Sequence, residues 1–119
     1  MADLEVISKT CPGKIFFLGL KGFLDAHTFE RLDKTISSLF NQGHYRIIVD
    51  LSGVGYIGSA GAGVFIGALG KARDHQGDLV FLTPSHAVQE VLDLLGLSQI
   101  FRIAKTLEEA QSFFSSSAA

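Results

Sequence analysis

The sequence has no tryptophan, a single cysteine and only two prolines in 119 residues. A lone Cys11 cannot close an internal disulfide, so the fold has to rest on packing, and a reducing cytoplasm is the expected location. No histidine and asparagine pattern points to that thiol, so it is expected to be a packed side chain and not a nucleophile. An excess of charge of either sign is missing as well. Ten Lys and Arg stand against twelve Asp and Glu, a formal net charge of −2. That balance points to no nucleic acid and to no acidic surface as a partner. The opening stretch MADLEVISKT lacks the basic start and apolar centre of a secretory signal, so export by that route is not expected.

What is present is largely apolar. Hydrophobic residues make up 47% of the chain and charged ones 18%, with ten Phe, the composition of one packed domain and not of a disordered chain. One uncharged run, Leu51 to Gly70, has the length of a membrane span, but seven of its twenty positions are Gly. Each Gly inside a helix costs roughly 1 kcal/mol relative to Ala. The run therefore reads as a loop followed by a largely buried helix, with no membrane involved.

Alternating periodicities predict the elements. Residues 4–9 and 14–20 read as two strands joined by the turn CPGK, in which Pro12 and Gly13 supply the turn chemistry. Asp25 can cap a helix whose Phe29, Leu32, Ile36, Leu39 and Phe40 share one stripe, with Gly43 just past its end. Residues 45–51, YRIIVDL, are β-branched and short, as expected of a central strand buried on both faces. Ser59 is the expected N-cap of a second helix running to about Asp74. A strand at 78–83 follows, then a helix capped by Ser85 that carries Val88, Val91, Leu92 and Leu95 and is ended by Gly96. IFRI, at 100–103, is a last short strand. Thr106 and Glu109 have capping-box spacing for a helix with Leu107, Ala110, Phe113 and Phe114. The order ββαβαβαβα describes one α/β domain, 1–114, with a mixed, mostly parallel sheet covered by about four helices and a frayed tail at 115–119.

The second helix is unusual in what it leaves bare. At 100° per residue, Ala62, Phe65, Ile66, Leu69 and Ala72 fall on the side expected to face the sheet. Ala60, Gly63, Val64, Gly67, Lys71 and Asp74 fall opposite, a surface with almost no side-chain bulk in its first two turns. Gly63 and Gly67 together give up roughly 2 kcal/mol of helix propensity there. Bare backbone can admit a neighbouring helix of the same domain. It can equally form a flat docking face for another protein, with Ile57 and Val64 as small apolar anchors. A third reading is a phosphate cradle, because GVGYIG (53–58) fits G-x-G-x-x-G after a strand, with Asp74 and Asp78 near the spacing of a ribose-binding acid. The second nucleotide-binding half to which that fingerprint belongs is missing.

Catalytic patterns are absent. The GK at 70–71 makes no Walker A loop, since Phe65 and Ala72 stand where Gly and Ser or Thr are needed. His27, His44, His75 and His86 are scattered without metal-ligand spacing, and Asp25, Asp50 and Asp93 have helix-cap or strand-end explanations. No metal or cofactor is expected.

From about Leu4 to Phe114 the chain resembles the STAS domain family, specifically the bacterial anti-sigma factor antagonists. The resemblance is carried by GFLDAHT (22–28), IIVDLSGVGYIGSAGAGVFIGALGKAR (47–73), HQGDLVFLTPS (75–85) and VLDLLGLSQIF (91–101). It implies a β-sheet covered by helices, no catalytic activity, and a protein partner. That partner would be an anti-sigma factor that is itself a serine kinase, held or released according to phosphorylation of the antagonist. In such proteins the segment before the second helix usually reads Asp, Ser, a phosphorylatable Ser or Thr, then Gly. Here Gly58, Ser59, Ala60 and Gly61 stand in those places. Ser59 matches the first hydroxyl, Ala60 leaves the usual acceptor position without one, and Gly58 removes the acidic neighbour.

The expected site is a partner-binding face of Ile57, Gly58, Ser59, Ala60, Gly63, Val64 and Gly67, binding constitutively or switched by phosphorylation at Ser59. The expected partner is an anti-sigma factor of the kinase type or a related signalling protein. A small-ligand or nucleotide site in the Gly-rich loop 53–61 is the alternative.

Overall fold

Apolar residues on alternate positions build a sheet that is buried from both sides at its centre. The computed structural model describes residues 3–116, and their side chains through 114. The elements are β1 (Leu4–Cys11), β2 (Ile15–Leu24), α1 (Phe29–Asn41), β3 (Arg46–Ile57), α2 (Ser59–Asp74), β4 (Asp78–Leu82), α3 (His86–Leu94), a 3₁₀ turn (Leu97–Gln99), β5 (Arg102–Ala104) and α4 (Leu107–Ser116). The strands lie in the order β1-β2-β3-β4-β5, with β1 antiparallel to β2 and every other pair parallel. This is the expected order and the expected mixed sheet.

The period of two explains the layers. Ile47, Val49 and Leu51 of β3 and Leu79 and Phe81 of β4 point into a cluster with Leu32, Ile36, Phe65, Val88 and Leu92, so α1, α2 and α3 share one face. Ile48, Val80 and Leu82 point the other way, against Ala110 and Phe114 of α4, with Cys11 at the margin of that cluster. Each such side chain contributes about 1.5–3 kcal/mol on burial, so the centre of β3 anchors both layers.

Several boundaries differ from expectation. β2 runs on to Leu24 and β3 to Ile57, because the two strands stay paired through Leu24 and Ile57 across register shifts near Gly19 and Gly22. The N-cap of α1 is Thr28, not Asp25. Asp25 instead closes the preceding turn: its carboxylate accepts from His27 N at 2.8 Å and its carbonyl accepts from Thr28 and Phe29 N. Leu95 lies beyond the end of α3 and is exposed, while Val88 and Leu92 are buried. The last strand is Arg102–Ala104, so Ile100 falls in the turn before it.

Other signals hold. Ser85 caps α3 by accepting from Val88 N at 3.3 Å and donates to Val54 O at 2.6 Å, which ties α3 to β3. Gly96 takes the left-handed conformation after α3, with φ 75. Thr106 accepts from Glu109 N at 3.1 Å, while Glu109 reaches back to Lys105 N at 2.7 Å. At the corner after α3, hydrogen bonds from Ser98 and Gln89 hold the Asp93 carboxyl below the usual carboxylate range. α4 continues through Ser116, so the tail expected from 115 is helical in its first two positions and 117–119 lie outside the described residues. Among the described residues no helix is long and apolar enough to cross a membrane.

Candidate functional site

The junction of β3 and α2 is built by backbone more than by side chains. Gly58 is the N-cap of α2, extended at φ −100 and ψ 179, and Ser59 is the first helical residue. Ser59 was expected as the cap. It falls one position late for that role, and no side chain caps the helix. Its hydroxyl has no hydrogen-bond partner among the described residues, and the residue is exposed. Gly58 N donates to Leu24 O at 2.9 Å and Gly58 O accepts from Ala62 N at 3.0 Å, so the last residue of β2 fixes the start of α2.

The buried side of α2 consists of Gly61, Ala62, Phe65, Ala68, Leu69 and Ala72. Ile66, expected to face the sheet, is 51% exposed instead. Small residues let the helix axis approach the sheet closely, and a branched side chain is then accommodated only at the flank. Ile57 is 2% exposed, so it is a core residue and not a surface anchor. Val64 is half-buried against the core, Ala60 is half-buried, and Gly63 and Gly67 are exposed.

The bare face is real, and the domain does not fill it. A Cβ at Gly63 or Gly67 would meet nothing within 4 Å. Close approach of α1 therefore does not account for either glycine. The two helices leave between them a shallow groove of about 210 Å³, walled by Asp33, Ile36, Ser37 and Phe40 on α1 and by Gly63, Val64, Gly67, Ala68 and Lys71 on α2.

Two residues next to this face were not singled out in the sequence. Phe23 and Tyr56 are 44% and 49% exposed, and their rings pair at 6.1 Å between centroids. They stand on neighbouring strands in register, and glycines make room for them. A Cβ at Gly55 would come 3.0 Å from the Phe23 ring, and one at Gly58 would come 3.2 Å from the Tyr56 hydroxyl. The turn beside them is held by buried Thr28, which donates to Phe23 O at 2.8 Å and accepts from Asp25 N at 3.0 Å. Register across β2 and β3 is the signal that would have found the pair.

No phosphate-cradling loop exists at 53–61. Residues 53–57 are strand, 58 is the cap and 59–61 are helix, so the G-x-G-x-x-G match lies mostly in a paired strand. Asp78 pairs in register with Arg46 at the opposite end of β3 and makes a 3.3 Å ion pair with Arg73. Among the described residues no group of three His, Cys, Asp or Glu could hold a metal ion.

The five-stranded mixed sheet covered by four helices matches the fold of a STAS domain. The model of that domain family matches residues 6–110, and the chain belongs to the family. BtrV of Bordetella bronchiseptica, named for an anti-sigma factor antagonist role, is 30% identical over 95 residues, spanning 80% of this chain and 82% of BtrV. The anti-sigma-B factor antagonist of Staphylococcus aureus is 26% identical over 102 residues, 86% of this chain and 94% of that protein. Unphosphorylated SpoIIAA, an anti-sigma factor antagonist of solved structure, matches with a TM-score of 0.81 at 25% identity over 94% of this chain and 97% of that one. The phosphorylated form of Bacillus SpoIIAA matches at 0.72, also at 25% identity, over 91% and 97%.

Proposed function

We propose that the protein is an anti-sigma factor antagonist, a protein-interaction module without catalysis of its own. Its partner is an anti-sigma factor of the serine kinase type or a related signalling protein, bound in the cytoplasm by the start of α2. Gly58, Ser59, Ala60, Gly63, Val64 and Gly67 form the docking face, and Phe23 and Tyr56 add apolar area at its edge. The observation that carries this reading is the open space over Gly63 and Gly67 on an exposed helix face. Glycine there lowers helix propensity by roughly 1 kcal/mol per site with no internal contact to offset it, and a partner backbone lying against the helix would supply the compensation.

Ala60 sets the regulation. A phosphate adds about −1.5 to −2 charges and three acceptor oxygens, enough to block a low-relief face. Without a hydroxyl at position 60 the partner complex is constitutive unless Ser59 serves. The test is a binding titration with the anti-sigma factor of the same organism, with and without prior kinase treatment. One-to-one binding that treatment leaves unchanged supports the reading. No binding to any anti-sigma factor of that organism overturns it.

A further inference from the structure

A cleft lies at the other end of the sheet, where β2, β3 and β4 begin. It has a volume of about 680 Å³, within the range of small-molecule sites. Three connections wall it: the β1–β2 turn at Lys14, the α1–β3 loop at His44 and Tyr45, and the α2–β4 loop at Gln76. None of these walls is loose. Arg46 donates to Gly13 O at 3.3 Å, His44 N donates to Leu39 O at 2.9 Å, and Gly77 N donates to Ala72 O at 2.8 Å. The cleft is thus formed before any ligand arrives.

Its lining combines flat rings with positive charge. His44 lies 4.3 Å from Phe16, and Tyr45 and His75 stack at 4.1 Å with their planes 3° apart. Lys14 and Arg46 contribute two cations, and no carboxylate is among the lining residues. Lys14 has neither a hydrogen bond nor an ion pair among the described residues. The C-terminal ends of α1 and α2 also face this cleft through Gln42 and His75, and each helix end carries roughly half a negative charge. The balance is about one positive charge, which suits a monoanion better than a phosphate dianion.

A second observation marks the same rim. Only three described residues other than glycine have a left-handed backbone, and two of them, Lys14 at φ 60 and Gln76 at φ 64, line this cleft. Such conformations cost energy and concentrate where a site must be held in shape.

We propose that this cleft binds a small ring-bearing carboxylate, independently of the docking face at the start of α2. The ring lies among Phe16, His44 and Tyr45, and the carboxylate meets Lys14 and Arg46. The probe is 2-naphthoate, titrated into the isotope-labelled protein and followed by amide chemical shifts, with 2-naphthamide as the uncharged counterpart. Saturable shifts are expected at Lys14, His44, Arg46 and Gln76. A charge-assisted contact makes the amide, and the acid with Lys14→Gln, about tenfold weaker. Lys21→Gln, which removes a cation outside the cleft, should leave the affinity unchanged, and the spectra report directly whether each variant is folded. The proposal is overturned by equal affinity for acid and amide, by unchanged affinity in folded Lys14→Gln, by shifts confined to other surfaces, or by no saturable shifts at millimolar probe.

Discussion

The side chain of Leu24 stands where a side chain at Gly61 would have to go: a Cβ at 61 would lie 2.5 Å from Leu24 Cγ and 2.8 Å from its Cδ2. Leu24 is fully buried and its carbonyl accepts from Gly58 N, so it has no room to yield. Gly61 is therefore a packing residue, fixed by the end of β2. Gly63, two positions on, meets nothing at all. One helix carries two kinds of glycine, and only the second kind is free for a partner.

Stability should separate the two kinds. Gly61→Ala overpacks a filled core and is expected to cost about 1–3 kcal/mol. Gly63→Ala and Gly67→Ala enter open space and should each gain up to about 1 kcal/mol of helix propensity. Urea denaturation of the three variants measures this directly. Destabilisation at 63 or 67 of the size expected at 61 would mean that these glycines serve the domain's own packing.

Phosphorylation should be silent in the wild type and appear on substitution. Consecutive Cα atoms are about 3.8 Å apart and consecutive helical side chains diverge by about 100°, while phosphoryl transfer needs an approach of about 3 Å. A kinase shaped for position 60 would thus miss Ser59, although the Ser59 hydroxyl is exposed and unbonded among the described residues. Ala60→Ser should become an acceptor, and Ala60→Asp should weaken partner binding by placing a charge on the bare face. Intact-mass spectrometry after kinase treatment gives the reading. Stoichiometric phosphate on wild type that disappears in Ser59→Ala would show a switch displaced by one residue.

Much of this was legible in the sequence, for identifiable reasons. The short β-branched run YRIIVDL reads as a central strand buried on both faces, and Ile48 does pack against one layer and Ile47 and Val49 against the other. Ser85 and Gly96 carry local chemistry that bounds α3. The second halves of β2 and β3 were not legible, because Ser52, Gly53 and Gly55 have weak strand propensity, and the strand continues through the pairing of Gly53, Val54, Tyr56 and Ile57 with β2 across register shifts. Phe23, Tyr56 and Ile66 look like core residues by type, and Ile57 like a surface anchor by position. Alternation at the paired ends of β2 and β3 turns Leu24 and Ile57 into the core with α2 and leaves Phe23 and Tyr56 on the opposite face of the sheet, while Ile66 falls on the flank of α2.

The aromatic pair should matter for binding and little for folding. Tyr56 is about half exposed, so Tyr56→Ala removes mainly solvated surface and should change stability by no more than about 1 kcal/mol. At the edge of the proposed docking face, its removal should cost the partner complex about tenfold or more in Kd. Calorimetric titration alongside thermal melting checks both halves. Unchanged affinity would place the partner elsewhere.

Ser85→Ala removes a cap acceptor from Val88 N and a donor to Val54 O in one step. A loss of about 1–2 kcal/mol is expected in chemical denaturation, with partner affinity unchanged because Ser85 stands outside the docking face.

The most direct measurement is the affinity of Gly67→Arg for the partner anti-sigma factor, beside the melting temperature of the same variant. Arginine at 67 enters open space and is a better helix former than glycine, so the domain should melt at or above the wild-type temperature. Its bulk covers the groove between α1 and α2, so binding should be lost. A variant that melts normally and binds the partner as tightly as wild type would contradict the assignment of this face as the docking surface.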